Sequence, residues 1–94
     1  MLVQFKVVAK PECIPDINKF LAEIFPDTRA FDGCIDITAY LNDDGQTYVF
    51  IEHWESKAQY EKYLAWRGEI GTMSQFEQYL QGPPSIKYFE VVDA

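Results

Sequence analysis

Residues 48–67 read as a β-strand that runs straight into an α-helix, and this junction limits the architectures open to the chain. Tyr48 to Trp54 is dense in aromatic and β-branched side chains, which fit the pleated surface of a strand. Ser56 follows, with Gln59 three residues on. That spacing is a capping box: the serine oxygen accepts from an early helix amide, and the glutamine reaches back. Tyr60, Tyr63, Leu64 and Arg67 then fall on one helical stripe. The junction holds the only histidine, His53, both tryptophans, Trp54 and Trp66, and three of the six tyrosines. Chemistry is expected here first.

The rest of the chain supplies matching elements. Residues 2–9 alternate as a strand, with Val3, Phe5 and Val7 on one side and Gln4 and Lys6 on the other. A helix starts near Pro15, and Ile17, Phe20, Leu21, Ile24 and Phe25 give it an amphipathic face. Pro26 ends or kinks it, and Gly33 stops any further turn. Residues 34–41 are a second strand, and the Asn42-Asp-Asp-Gly45 turn leads into the third. Thr72 and Gln75 repeat the capping-box spacing before a short stripe of Met73, Phe76 and Leu80. Gly82-Pro83-Pro84 stops that helix, and residues 86–92 form the last strand.

The order β-α-β-β-α-(α)-β is the split βαβ arrangement of a ferredoxin-like α+β fold: one domain over residues 1–94, an antiparallel sheet, helices on one face. Alternation suggests which face. Val3, Phe5, Val7, Ile35, Ile37 and Ala39, with Val49, Ile51, Phe89 and Val91, make an aliphatic side expected under the helices. The other side carries Lys6, Tyr40, Phe50, Glu52, Trp54, Tyr88 and Glu90. It is too polar for a dry core and too aromatic for water, so these seven residues are expected to form a homodimer interface.

Composition closes several routes. The net charge is −7, and the eight Lys and Arg residues are scattered, so neither nucleic acid nor an anionic membrane surface is an expected partner. No apolar run is long enough to span a bilayer, and no signal-peptide pattern follows Met1. Cys13 and Cys34 lack the spacing of a metal set and read as reduced thiols in a cytoplasmic protein. Phosphate loops and metal or nucleophile motifs are missing, so no cofactor or metal is expected.

Two groups of side chains can carry chemistry. His53, expected on the helix side at the strand end, is a candidate proton acceptor. Tyr63, Trp66 and Arg67 share a helical flank and can line an aromatic pocket with one cation, suited to a flat ligand bearing an oxyanion.

Glu52-His-Trp-Glu-Ser56, followed by an aromatic helix, resembles the E-x-W-x-S segment of the antibiotic biosynthesis monooxygenase family. Thr28-Arg-Ala-Phe-Asp-Gly-Cys34 resembles the same family's helix-to-strand passage. The resemblance spans nearly the whole chain and implies a dimeric α+β barrel, two sheets face to face with helices outside. Members include enzymes that oxygenate polycyclic aromatics or quinols with O2, without flavin or metal; others degrade haem. Many members carry a His, and haem degraders a Trp, at the position that is Tyr63 here. The haem degraders' first-strand Asn and helix His fall at Phe5 and Met73, so haem chemistry is disfavoured. The resemblance therefore implies a cofactor-independent monooxygenase acting on a small aromatic or quinol-like compound. In that reading Tyr63 and His53 handle the proton, Trp66, Phe20 and Met73 wall the ring, and Arg67 steadies the anion. The alternative is a non-catalytic dimeric module that binds a small molecule or a protein.

Overall fold

Four strands form one antiparallel sheet in a computed structural model that describes all of residues 1–94. They are β1 (Leu2–Val8), β2 (Cys34–Leu41), β3 (Thr47–Trp54) and β4 (Ser85–Phe89), in the order β2-β3-β1-β4. α1 (Ile14–Ala30) joins β1 to β2, and α2 (Lys57–Glu69) with the short α3 (Thr72–Glu77) joins β3 to β4. The buried side chains of all three helices meet the same sheet face, as a ferredoxin-like α+β fold requires.

Pro26 does not end the first helix. α1 runs through it to Ala30, because an exposed proline late in the helix removes only one backbone bond while Phe25 and Thr28 remain buried on the core side. The α2 cap forms as read: Ser56 Oγ accepts from the Gln59 amide at 3.2 Å. The box closes differently, since the serine hydroxyl itself donates to Gln59 Oε1 at 2.8 Å. At α3 the second capping box is absent. Gly71, with φ of 84°, takes the cap position, and Thr72 is already helical. A left-handed glycine lets the chain turn sharply out of α2, which moves the helix start one residue early.

The register of β3 is the main departure from the alternation argument. Val3, Phe5 and Val7 pair with Glu52, Phe50 and Tyr48 across the β1–β3 ladder. Cross-strand partners share a face, so Tyr48, Phe50, Glu52 and Trp54 lie under the helices, each at most 5% exposed. Val49, Ile51 and His53 point to the outer face. The expected interface residues Phe50, Glu52 and Trp54 are therefore core residues. Tyr88, opposite Val3, is also on the helix side, where its ring meets Tyr60 at 5.9 Å. Of the expected seven, Lys6 and Tyr40 do lie on the outer face, and Glu90 follows the end of β4.

Three further positions expected under the helices are corrected. Ile35 falls in a β-bulge between Cys34 and Asp36 and is 62% exposed. Phe89 pairs with Leu2 on the outer face, and Val91 lies past the strand, exposed. β3 is apolar at both parities, so its pattern could not choose a face. Its bulkier rings fill the deeper space beneath the helices.

Gly33 sets the approach of α2 to β2. Its φ is 95°, and a Cβ there would stand 2.6 Å from Gln59 Cδ, while its carbonyl accepts from the Glu55 amide at 2.8 Å. Gly33→Ala is expected to lower unfolding stability by ~1–3 kcal/mol in urea titrations, through left-handed strain and displacement of the cap glutamine. An unchanged midpoint would mean the loop relaxes freely.

Candidate active site

α2 turns Tyr60, Tyr63 and Arg67 inward, one turn apart, over the floor made by β3. Between them and the sheet lies a pocket lined by Phe5, Phe50 and Glu52 from the strands, Ile24 and Phe25 from α1, and Met73 and Phe76 from α3. Ile24, Leu64, Thr72 and Met73 are only half-buried and form its mouth. The interior measures about 30 Å³, room for a water or two and not for a ring. An aromatic ligand must displace side chains, and α3 is the most exposed wall.

Arg67 is 3% exposed, yet the chain's one salt bridge is the surface pair His53–Asp36. Neutral acceptors hold its guanidinium. Nη2 donates to the Ile24 carbonyl at 2.8 Å and to Thr28 Oγ1 at 3.0 Å, and Nε donates to the Tyr63 hydroxyl at 3.0 Å. Tyr63 and Thr28 are themselves bonded at 2.7 Å. The cation also lies 4.6 Å from the Trp66 ring centre and 5.3 Å from that of Tyr63. No carboxylate forms an ion pair with it, so an oxyanion brought against it would be favoured electrostatically. Burial raises the Tyr63 pKa, partly opposed by its bonds to Thr28 and Arg67.

Glu52 lies on the same lining, 2% exposed. Its one side-chain hydrogen bond comes from Trp54 Nε1, which donates to Oε1 at 3.1 Å. The E-x-W spacing thus has a physical meaning: residues two apart on a strand share a face, and the indole reaches back to the carboxylate. Burial pushes the Glu52 carboxyl from its ordinary 4.5 up to about 7, with the Trp54 bond opposing. The Tyr60 hydroxyl is fully buried and has no partner at all. Burial, then the Glu52 charge, drives its pKa upward, so it keeps its proton.

The residues singled out in the sequence do not all converge. Tyr63, Arg67 and Met73 line the pocket. Trp66 backs the Arg67 guanidinium from outside the lining. Phe20 is in the main core, stacked on Phe76 at 5.5 Å, and does not reach the pocket. His53 is on the opposite sheet face, where Nδ1 meets Asp36 Oδ1 at 2.7 Å, so it shares no site with Tyr63. Glu52 and Tyr60 were the missed members. The available signal was a glutamate in the middle of an otherwise apolar strand. No three His, Cys, Asp or Glu side chains stand close enough to hold a metal.

A four-stranded antiparallel sheet with all its helices on one face, over an interior of aromatic side chains, defines a ferredoxin-like α+β domain. More specifically, the chain belongs to the antibiotic biosynthesis monooxygenase family, which it matches over residues 1–67. Solved structures agree on the fold. A structure described as an antibiotic biosynthesis monooxygenase superposes with a TM-score of 0.86 at 20% identity, covering 98% of this chain and 99% of its own. Rv0793 from Mycobacterium tuberculosis gives 0.82 at 22% identity, with 99% and 95% covered. NE2512 from Nitrosomonas europaea, of unknown function, gives 0.81 at 22% identity, with 99% and 89% covered. No curated protein matches the sequence significantly. No helix is long and apolar enough to cross a membrane.

The raised Glu52 pKa has a stability consequence. The native state holds that proton between 4.5 and about 7 whereas the unfolded chain does not, so stability falls as pH rises through this window. The loss is about 3 kcal/mol by pH 8. Glu52→Gln removes the slope while keeping an acceptor for Trp54. Urea unfolding of the two proteins is expected to agree at pH 4 and to favour the variant at pH 8. A variant weaker at pH 8 would mean the carboxylate is stabilised in place.

Proposed function

We propose that the protein is a cofactor-independent monooxygenase that uses O2 on a small hydroxylated aromatic or quinol-like compound. The observation that carries this reading is Arg67: a buried cation without an ion-pair partner, facing a pocket walled by Phe5, Phe50 and Phe76. Such a site favours the anion of an aromatic hydroxyl over its neutral form. The anion is the electron-rich species that can reduce O2 directly. For a hydroquinone, one oxygen atom enters the ring and the other leaves as water, giving a hydroxyquinone. Tyr63 orients the substrate oxygen and fixes Arg67 through its 3.0 Å bond. Met73 and Phe76 close over the ring and exclude water. Membership of a family named for monooxygenases supports the reading, and two unpaired cysteines suit a reducing, cytoplasmic setting.

Metal-free protein is expected to show saturable oxygen uptake with a hydroquinone or polycyclic phenol. Arg67→Met is expected to lower that rate by ~10²–10³-fold, with Arg67→Lys intermediate. The small interior favours a second reading, a binding module without turnover. Absence of uptake across a panel of such compounds would select it.

The homodimer belongs to the same proposal, with a revised surface. The outer sheet face carries Leu2, Val49 and Ile51 beside the exposed Val8, Tyr40 and Phe89, and no helix covers it. A second copy laid on this face would bury it. Light scattering at micromolar concentration is expected to give twice the chain mass, and Ile51→Lys to give the monomer. A wild-type monomer would remove the dimer from the proposal.

A further inference from the structure

We infer that Glu52 is the base that takes the proton from the substrate hydroxyl, with the Tyr60 hydroxyl holding the oxygen it leaves behind. This rests on the monooxygenase reading above and names the group that generates the anion. The pocket lining contains one unused acceptor and one unused donor. No donor reaches Glu52 Oε2, because the indole of Trp54 occupies Oε1 alone. The Tyr60 O–H is buried without an acceptor. Of the two, the fully buried Tyr60 hydroxyl is the unfavourable orphan in the free protein. A hydroxyl group answers both at once, donating to the carboxylate and accepting from the phenol. The other polar groups of the lining are already engaged: Tyr63 with Thr28 and Arg67, Arg67 with Ile24, Thr28, Tyr63 and Thr72, and Thr72 with Arg67.

The transfer balances simply. The substrate O–H bond breaks, its electron pair stays on the substrate oxygen, and the proton goes to Glu52 Oε2 to give a neutral acid. The resulting oxyanion keeps the Tyr60 hydrogen bond and lies in the field of Arg67.

The groups around Glu52 are arranged for this exchange. Burial first, and its charge to a lesser degree, raises the pKa of Tyr60 and Tyr63 on α2, of Cys34 on β2 and of Tyr88 beside them on β4, so these four stay protonated. Arg67 is the one cation of the lining and makes no ion pair with it. A carboxyl that changes state near neutrality, among neighbours that do not, can accept a proton without competition.

The test is the ionisation state of a bound phenol, which is readable without turnover. 2-Naphthol, neutral in buffer at pH 8, has a distinct absorption band when ionised. Wild-type protein is expected to bind it and show the ionised band at pH 8, fading as the pH falls below 7. In Glu52→Gln the bound probe is expected to stay neutral. Tyr60→Phe is expected to bind about tenfold more weakly. Oxygen uptake with a hydroquinone is expected to fall by ~10²-fold or more in Glu52→Gln, with loss of the rise in kcat/KM between pH 6 and 8.

An ionised band undiminished in Glu52→Gln, or uptake intact in that variant, overturns the assignment of the base and leaves the monooxygenase reading standing. Ionised probe in the wild type without uptake of O2 overturns the monooxygenase reading and leaves Glu52 as the acceptor. A wild type that does not bind the probe overturns both.

Discussion

The pairing of Phe5 with Phe50 sets the parity of β3, and the site depends on that parity. Their rings stack at 5.1 Å, and Phe76 of α3 lies over both, at 6.4 and 6.0 Å. This aromatic stack keeps the even-numbered residues of β3 under the helices. A slip of one residue would exchange every inner side chain for an outer one. Val49, Ile51 and His53 would then face α2, and Glu52 and Trp54 would face solvent. The apolar burial of Trp54, at 0% exposure, strongly opposes that exchange and carries Glu52 inside with it.

Above this floor, the helices are tied by polar groups as well as by packing. Arg67 reaches across from α2 to the Ile24 carbonyl and Thr28 of α1, and Tyr63 joins the same cluster. A buried network of this kind is worth having only when every member is satisfied. Thr28, at 0% exposure, is the shared partner, so it registers the two helices against one another. α3 is tied to this network only by a long bond, Arg67 Nη1 donating to Thr72 Oγ1 at 3.4 Å, and otherwise by apolar side chains. The pocket therefore has two firm walls, from α1 and α2, and one softer wall, from α3.

Much of the architecture was legible in the sequence because helix signals are local. The amphipathic stripe of α1, the Ser56 cap and the glycine stops each act within a few residues. Strand facing is a different problem. β1 alternates cleanly, and its inner face was assigned correctly. β3 reads Tyr-Val-Phe-Ile before Glu52, apolar at both parities, so only long-range pairing could decide it. That single ambiguity placed His53 in the candidate site and Glu52 at the interface, the reverse of the structure. Tyr63 and Arg67 come together because helical spacing alone brings them to one flank, while Met73, placed by the family resemblance, meets them from α3. Phe20 was misassigned for lack of depth: periodicity says a side chain points inward, not which part of the interior it enters.

β3 is also a single layer between two environments. Its even positions face the helices, Phe50 and Glu52 flooring the pocket, and its odd positions touch whatever meets the open side of the sheet. Eight residues thus carry two interleaved texts that share only a backbone. Drift at 49, 51 or 53 leaves the pocket floor unaltered, and drift at 48, 50 or 52 leaves the outer surface unaltered. A lineage built on this strand can acquire a new ligand while keeping its neighbour, or a new neighbour while keeping its ligand.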